Sequence, residues 1–215
     1  MFNNKIEVLI NLFTFDKGEI KVLLFKKQDE PFKGYWMLPS NLMLNKETLE
    51  ECATETLNEK IGVTDIYMET CDIFSDIDRI PDTRIVGISV LGIVDTVKAN
   101  VSLDIKEEAE WFNINNIPKT IYDNGIIVQN SVEKLKKELL NTKLLKVFFP
   151  SDFTLPELQK LFEQILNKKL DRRNFRKKIL KLDIIEDTME KNISMTGRPA
   201  KLYRFKDIEE DRNLF

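Results

Sequence analysis

A chain of 215 residues, 42% of them apolar, has room for one large core or two modest ones. It contains no histidine, which excludes a histidine-based zinc site and a Ser-His-Asp triad. The net charge of −3 hides an asymmetry. Lys146 to Lys206 carries 15 Lys and Arg against 8 Asp and Glu, so a basic module follows an acidic body.

In chain order, residues 6–15 and 20–27 are apolar, β-branched runs around Asp16-Lys17-Gly18, the pattern of a hairpin whose turn uses glycine. A loop from Pro31 to Gly34 leads to a short apolar stretch ending at Pro39. Residues 46–60 repeat Leu49, Cys52, Ala53 and Leu57 at helical spacing, with Asn45 as the expected N-cap, Glu47 in the first turn and Gly62 as the stop. Ile66 to Phe74, Arg84 to Val97 and Ala109 to Ile114 predict strands, with an acidic loop from Ser75 to Thr83. Residues 120–141 predict a mostly helical segment, and strands alternating with helices predict an α/β domain over 1–146. Met1 to Phe15 lacks the form of a secretory signal, and no apolar run is long enough to span a bilayer. With Cys52 and Cys71 read as small buried thiols, this predicts a cytoplasmic protein without a membrane partner.

The pattern changes after Phe148-Phe149-Pro150. Thr154 precedes a helix with Pro156 in its first turn and Leu155, Leu158, Leu161, Phe162 and Ile165 on one face. Asn167 to Leu170 reads as a tight turn, and Asp171 caps a second helix over 172–182 whose inward residues are Phe175, Ile179 and Leu182. Residues 183–191 and 200–206 form a hairpin with Gly197-Arg198-Pro199 in its tip. The second helix carries Arg172, Arg173, Arg176, Lys177, Lys178 and Lys181 on its outer faces. A cationic helix of this width fits the major groove of duplex DNA, where it neutralises phosphates and reaches guanine edges; Asn174 is suited to adenine. Helix, turn, basic helix and basic hairpin predict a winged helix-turn-helix over 147–215. Thr154, Arg172, Arg173, Asn174, Arg176, Lys177, Lys178, Arg198 and Lys201 are the candidate DNA contacts, and Lys191 stands beside them in the wing.

The stretch from Trp36 to Val63 resembles a Nudix box. Aligned on Gly62-Val63, Glu47 falls on the first glutamate, Leu57 on the aliphatic position and Glu59 on the first of the paired glutamates. Asn41 stands where the box opens with glycine, Glu55-Thr56 where it has Arg-Glu, and Lys60 at the second of the paired glutamates. Nudix hydrolysis uses carboxylates on one helix turn to hold magnesium. Here the neighbouring positions 56, 59 and 60 read Thr, Glu, Lys, which predicts neither a metal site, nor a catalytic residue, nor a cofactor.

Trp36-Met37-Leu38-Pro39, Thr48 to Ala53, Arg79 to Val86, Ala109 to Phe112, Phe153 to Gln159, Leu170 to Leu180 and Gly197 to Phe205 together resemble the Nudix-related transcriptional regulators. The resemblance implies a degenerate Nudix-like sandwich of mixed sheet and helices that senses an effector, followed by a winged helix-turn-helix. It also implies a homodimer on a palindromic operator, with reading helices about 34 Å apart. Some members respond to ADP-ribose and others to a pentose such as arabinose, so a sugar or sugar-nucleotide is the expected effector. Ser40-Asn41, where many members have two glycines, leaves less room for a phosphate beside the backbone. The expected cleft residues are Lys27, Trp36, Ser40, Asn41, Glu55, Glu59, Asp76, Asp78 and Arg84. The rival class is a Nudix-type pyrophosphohydrolase acting on ADP-ribose or a related nucleoside diphosphate, with metal ligands drawn from Asp76 or Asp78.

Overall fold

A computed structural model describes residues 5–64, 66–95, 108–139, 142–192 and 199–207. The chain divides into two compact units, Met1–Thr14 with Lys21–Leu135, and Phe15–Ile20 with Lys136–Phe215.

The first unit is built on a mixed sheet. Strand β1 (Lys5–Asp16) turns through Lys17 and Gly18, both at positive φ, into β2 (Glu19–Lys26). Two consecutive left-handed residues match the right-handed twist of a two-residue hairpin. Short strands β3 (Trp36–Met37) and β4 (Ser40–Leu42) follow, then helix α1 (Leu49–Ile61), β5 (Tyr67–Phe74), β6 (Ile85–Ile93), β7 (Ala109–Asn113) and helix α2 (Asn124–Glu138). The sheet order is β3-β2-β1-β6-β5, with β4 on β1 and β7 on β2. β1 and β6 run parallel, while β4, β7, β3 and β5 pair antiparallel to their neighbours.

β1 is buried on both faces, from Val8 through Phe13. Val8, Ile10 and Leu12 join Cys52, Ala53, Leu57 and Ile61 of α1 in one apolar cluster. On the alternate face Asn11 donates to the Ser89 hydroxyl at 3.5 Å, and Ser89 meets Ser131 of α2 at 3.3 Å. Alternation along β1 therefore presents one face to each helix.

α1 begins at Thr48, not at the expected Asn45. Thr48 accepts from the Glu51 N–H and Glu51 accepts from the Thr48 N–H at 2.7 Å, a reciprocal capping box. Glu47 thus precedes the helix and accepts the Leu44 N–H. Gly62 ends α1 in the left-handed region at φ 66°. The mostly helical stretch expected over 120–141 is α2, and a further helix, α3 (Thr142–Phe148), follows it.

The second unit continues with β8 (Phe153–Thr154), α4 (Leu155–Leu166), α5 (Arg172–Leu182), β9 (Ile185–Asn192) and β10 (Ala200–Phe205), in a three-stranded sheet of order β8-β10-β9. Helices α4 and α5 meet through Phe162 and Phe175, whose rings are 5.6 Å apart. Leu158, Leu161, Ile165 and Ile179 are buried, and Phe153 stacks on Phe205 at 4.8 Å. Helix, turn, helix and hairpin together make a winged helix.

Candidate nucleic-acid interface and effector domain

α4 starts on a second capping box. The Thr154 hydroxyl donates to Glu157 Oε2 at 2.8 Å, and the same carboxylate accepts the Thr154 N–H at 2.7 Å. Thr154, expected as a DNA contact, is buried, and its hydroxyl is engaged at the helix start. Asn167 closes α4 in the left-handed conformation at φ 47°.

Two side chains that sequence reasoning missed hold the following turn. Glu163 Oε1 accepts the Leu170 N–H at 2.9 Å, and Gln159 Nε2 donates to the Leu170 carbonyl at 2.9 Å. Gln159 also donates to Glu163 at 3.0 Å. The Leu170 N–H and the Gln159 amide, joined by Lys169, hold the Glu163 carboxyl below the usual carboxylate range. Both backbone groups of Leu170 are thereby fixed one residue before Asp171, which accepts the Asn174 N–H at 2.9 Å and caps α5.

α5 buries Phe175 and Ile179 and exposes Arg172, Arg173, Asn174, Arg176, Lys177, Lys178 and Lys181. It contains no acidic residue. Four carboxylates elsewhere in this unit are engaged: Asp152 with Arg204 at 2.7 Å, Asp183 with Lys206 at 2.6 Å, and Glu157 and Asp171 in caps. In the wing Lys201 of β10 is exposed and pairs with Asp187 of β9 at 2.5 Å, which lowers the Asp187 pKa and raises that of Lys201. Lys191 lies opposite Lys201 and is exposed. Arg198 and the rest of the wing tip, 193–198, lie outside the described residues.

In the first unit the expected cleft residues fall into separate local groups. Trp36 is half-buried, edge-on to Phe112 at 4.6 Å and under the Lys26 ammonium at 5.7 Å. Lys27 lies 3.7 Å from Asp29. The Asn41 side chain accepts the Leu42 N–H at 2.9 Å. Arg84 donates to the Ser75 and Asp76 carbonyls, each at 3.0 Å, and Asp76 accepts the Asp78 N–H at 3.0 Å, so these three hold one loop together. Glu55 and Glu59 lie exposed on α1, one turn apart. Thr56 is buried and donates its hydroxyl to the Cys52 carbonyl at 2.6 Å. Lys60 sits over the Phe25 ring at 5.1 Å. Burial, helped by the charge of Glu47, pushes the Cys52 thiol up to about 11, so it stays protonated at neutral pH. No group of three or more potential acidic or thiol metal ligands exists among the described residues.

Ser40 leads to a feature the sequence did not single out. Its hydroxyl donates to Glu7 Oε1 at 3.0 Å, and Glu7 Oε2 accepts from Arg79 Nη1 at 3.1 Å. Arg79 also grips Asp123 in a bidentate pair, with Nε at 2.8 Å and Nη2 at 3.2 Å. Its side chain is only 2% exposed. Burial works against the charge, but the Asp123 and Glu7 carboxylates outweigh it and hold the Arg79 pKa above its ordinary value. A methyl group at Gly87 would lie 2.9 Å from the guanidinium carbon, so glycine there makes the space. The signal was present in Arg79-Ile80-Pro81, but an arginine in an acidic loop reads as solvated until the fold is known.

No helix among the described residues is long and apolar enough to cross a membrane. Residues 147–205 match the NrtR DNA-binding winged helix domain family. Over 94% of its length the chain is 28% identical to the ADPR responsive transcriptional repressor NtrR of Acinetobacter baylyi, spanning 82% of that protein. It is 26% identical to Shewanella oneidensis NrtR in its complex with a 27mer DNA, with a TM-score of 0.79, covering 94% of this chain and 93% of that one. Over 51% of its length it is 32% identical to the ADP-ribose pyrophosphatase of Methanocaldococcus jannaschii, spanning 64% of that enzyme. Residues 147–205 thus carry the NrtR-type winged helix, and along nearly its whole length the chain is similar to NrtR-like, Nudix-related transcriptional regulators, with a Nudix-like domain before the winged helix.

Proposed function

We propose that this protein is a repressor that binds operator DNA through α5 and the wing, and that its Nudix-like domain binds ADP-ribose without hydrolysing it. The observation that carries the reading is α5 itself, an exposed helix with six cations and no acid, seated on a turn pinned by Gln159 and Glu163. Arg173, Asn174 and Lys177 are the candidate base and groove contacts, and two such helices in a homodimer match a palindromic operator. ADP-ribose, in preference to a free pentose, is supported by the responsiveness of the Acinetobacter relative.

The absence of hydrolysis is argued from α1. A magnesium site on this helix needs carboxylates at 56, 59 and 60, where the chain has a buried threonine, one exposed glutamate and a lysine. The second reading, supported by the likeness to a pyrophosphatase, is a hydrolase whose metal ligands come from Asp76 or Asp78.

One set of measurements separates them. In gel shifts with the operator duplex, the protein binds and ADP-ribose releases it. Arg173→Ala costs about 1–3 kcal/mol of preference for operator over scrambled duplex. ADP-ribose raises the melting temperature while arabinose leaves it unchanged. Release of AMP from ADP-ribose with Mg²⁺ or Mn²⁺ at ordinary enzyme rates establishes the hydrolase instead.

A further inference from the structure

The cations of α5 divide between two flanks. Arg172 and Arg176, one helical turn apart, line a cleft of about 400 Å³ with Gln159, Phe175, Lys201 and Tyr203. Arg173, Asn174 and Lys177 lie outside it. Lys201 faces Arg172 and Arg176 from the wing, and the positive field of Arg176 reaches it. Three cations thus converge on one concavity between the reading helix and the hairpin. Asp187, outside the cleft lining, holds the Lys201 ammonium and also accepts the Met189 N–H at 2.9 Å.

We propose that this cleft seats a phosphodiester of the DNA backbone, and that Asp187 is an internal stand-in anion which the phosphate displaces from Lys201. The proposal rests on the DNA-binding reading and deepens it by dividing the helix into a flank that grips the backbone and a flank that reads bases. A helix in the major groove with a hairpin beside it must straddle one sugar-phosphate strand, and the notch between the two is where that strand passes. A concave surface with three cations suits a compact anion. The residues lining it carry no sequence information, because every phosphodiester is alike. Lys201 is held by Asp187 without DNA, so part of the attraction for phosphate is spent on replacing that carboxylate.

The test measures affinity against salt concentration for operator duplex and for a scrambled duplex of equal length, with wild type, Arg176→Ala, Arg176→Lys and Asp187→Asn. Arg176→Ala is expected to weaken both duplexes by the same factor and to lower the slope of log affinity against log salt by about 1. Arg176→Lys restores the slope. Asp187→Asn strengthens both duplexes, because Lys201 no longer has a competing anion. Circular dichroism melts check that each variant is folded. Weakening confined to the operator makes Arg176 a base contact and overturns the proposal. So does weaker binding of both duplexes by Asp187→Asn. Inorganic phosphate at constant ionic strength separates a free-anion site from a backbone site: if it raises the melting temperature of wild type but not of Arg176→Ala while their salt slopes agree, the cleft is a free-anion site and the proposal falls. If wild type binds neither duplex, the DNA-binding reading itself fails, an outcome distinct from intact binding with an unchanged slope.

Discussion

Arg79 shows how much one side chain can commit a fold. Its guanidinium is 2% exposed, and its charge is acceptable there only because Asp123 takes two of its N–H groups and Glu7 a third. Removing one partner from such a network leaves an uncompensated buried charge, which typically costs about 3–5 kcal/mol. Arg79→Ala strands Glu7 and Asp123 side by side, so the unfolding free energy from urea titration is expected to fall by that amount, read as a lower midpoint at an unchanged m-value. Lysine does not rescue the variant, since a point charge cannot reproduce a planar fork. Gly87 belongs to the same unit of chemistry, because its missing methyl is what the guanidinium occupies. The sequence marked Arg79 only as part of a motif block, and its partners Glu7 and Asp123 are too distant in the chain to be read from spacing. Asp76, Asp78 and Arg84, expected in the effector cleft, are joined by hydrogen bonds within the loop that carries Arg79.

The helix-turn-helix is settled at the level of elements. α4 and α5 each have an apolar stripe that fixes which face is inward, so the cations of α5 had to face outward, and this was readable from Phe175 and Ile179 alone. The caps Thr154 and Asp171 were readable too, because a side-chain oxygen three residues before a free N–H is a local pattern. Asn45 was misleading, since Thr48 stands three residues on with Glu51 to complete the box. Gln159 and Glu163 were invisible because their partner is the backbone of a turn, which no side-chain spacing reveals. Glu163 makes a prediction about acid. Its pKa is lowered in the folded state, so its contribution is present above the unfolded value and is lost as pH falls through the folded one. Melting curves taken from neutral pH down through the carboxylate range should show wild type losing more stability than Glu163→Gln. At neutral pH Glu163→Ala should cost about 1.5–3 kcal/mol, the usual worth of hydrogen bonds to a charged acceptor, and should weaken operator binding.

Across the whole molecule a net charge of −3 does not oppose DNA binding, because screening confines each charge to about 10 Å at ordinary salt and DNA meets the local field of the second unit. If ADP-ribose releases the operator, thermodynamic linkage requires the operator to weaken ADP-ribose binding by the same factor, typically between about 5-fold and 150-fold. Titration calorimetry of ADP-ribose with and without operator duplex is expected to give the factor found in the gel shifts, and unequal factors mean that the two ligands do not share one binding equilibrium. The ion network around Arg79 has a further consequence, for the order in which the chain can become a protein. Glu7 lies 72 residues before Arg79 and Asp123 lies 44 after it. A nascent chain that has emerged only as far as β6 already owns most of the sheet, yet it holds a cation with half its counter-charge still inside the ribosome. Closure of the first unit therefore waits for the start of α2, and a fragment ending short of Asp123 is left with strands but without the anion that lets them shut.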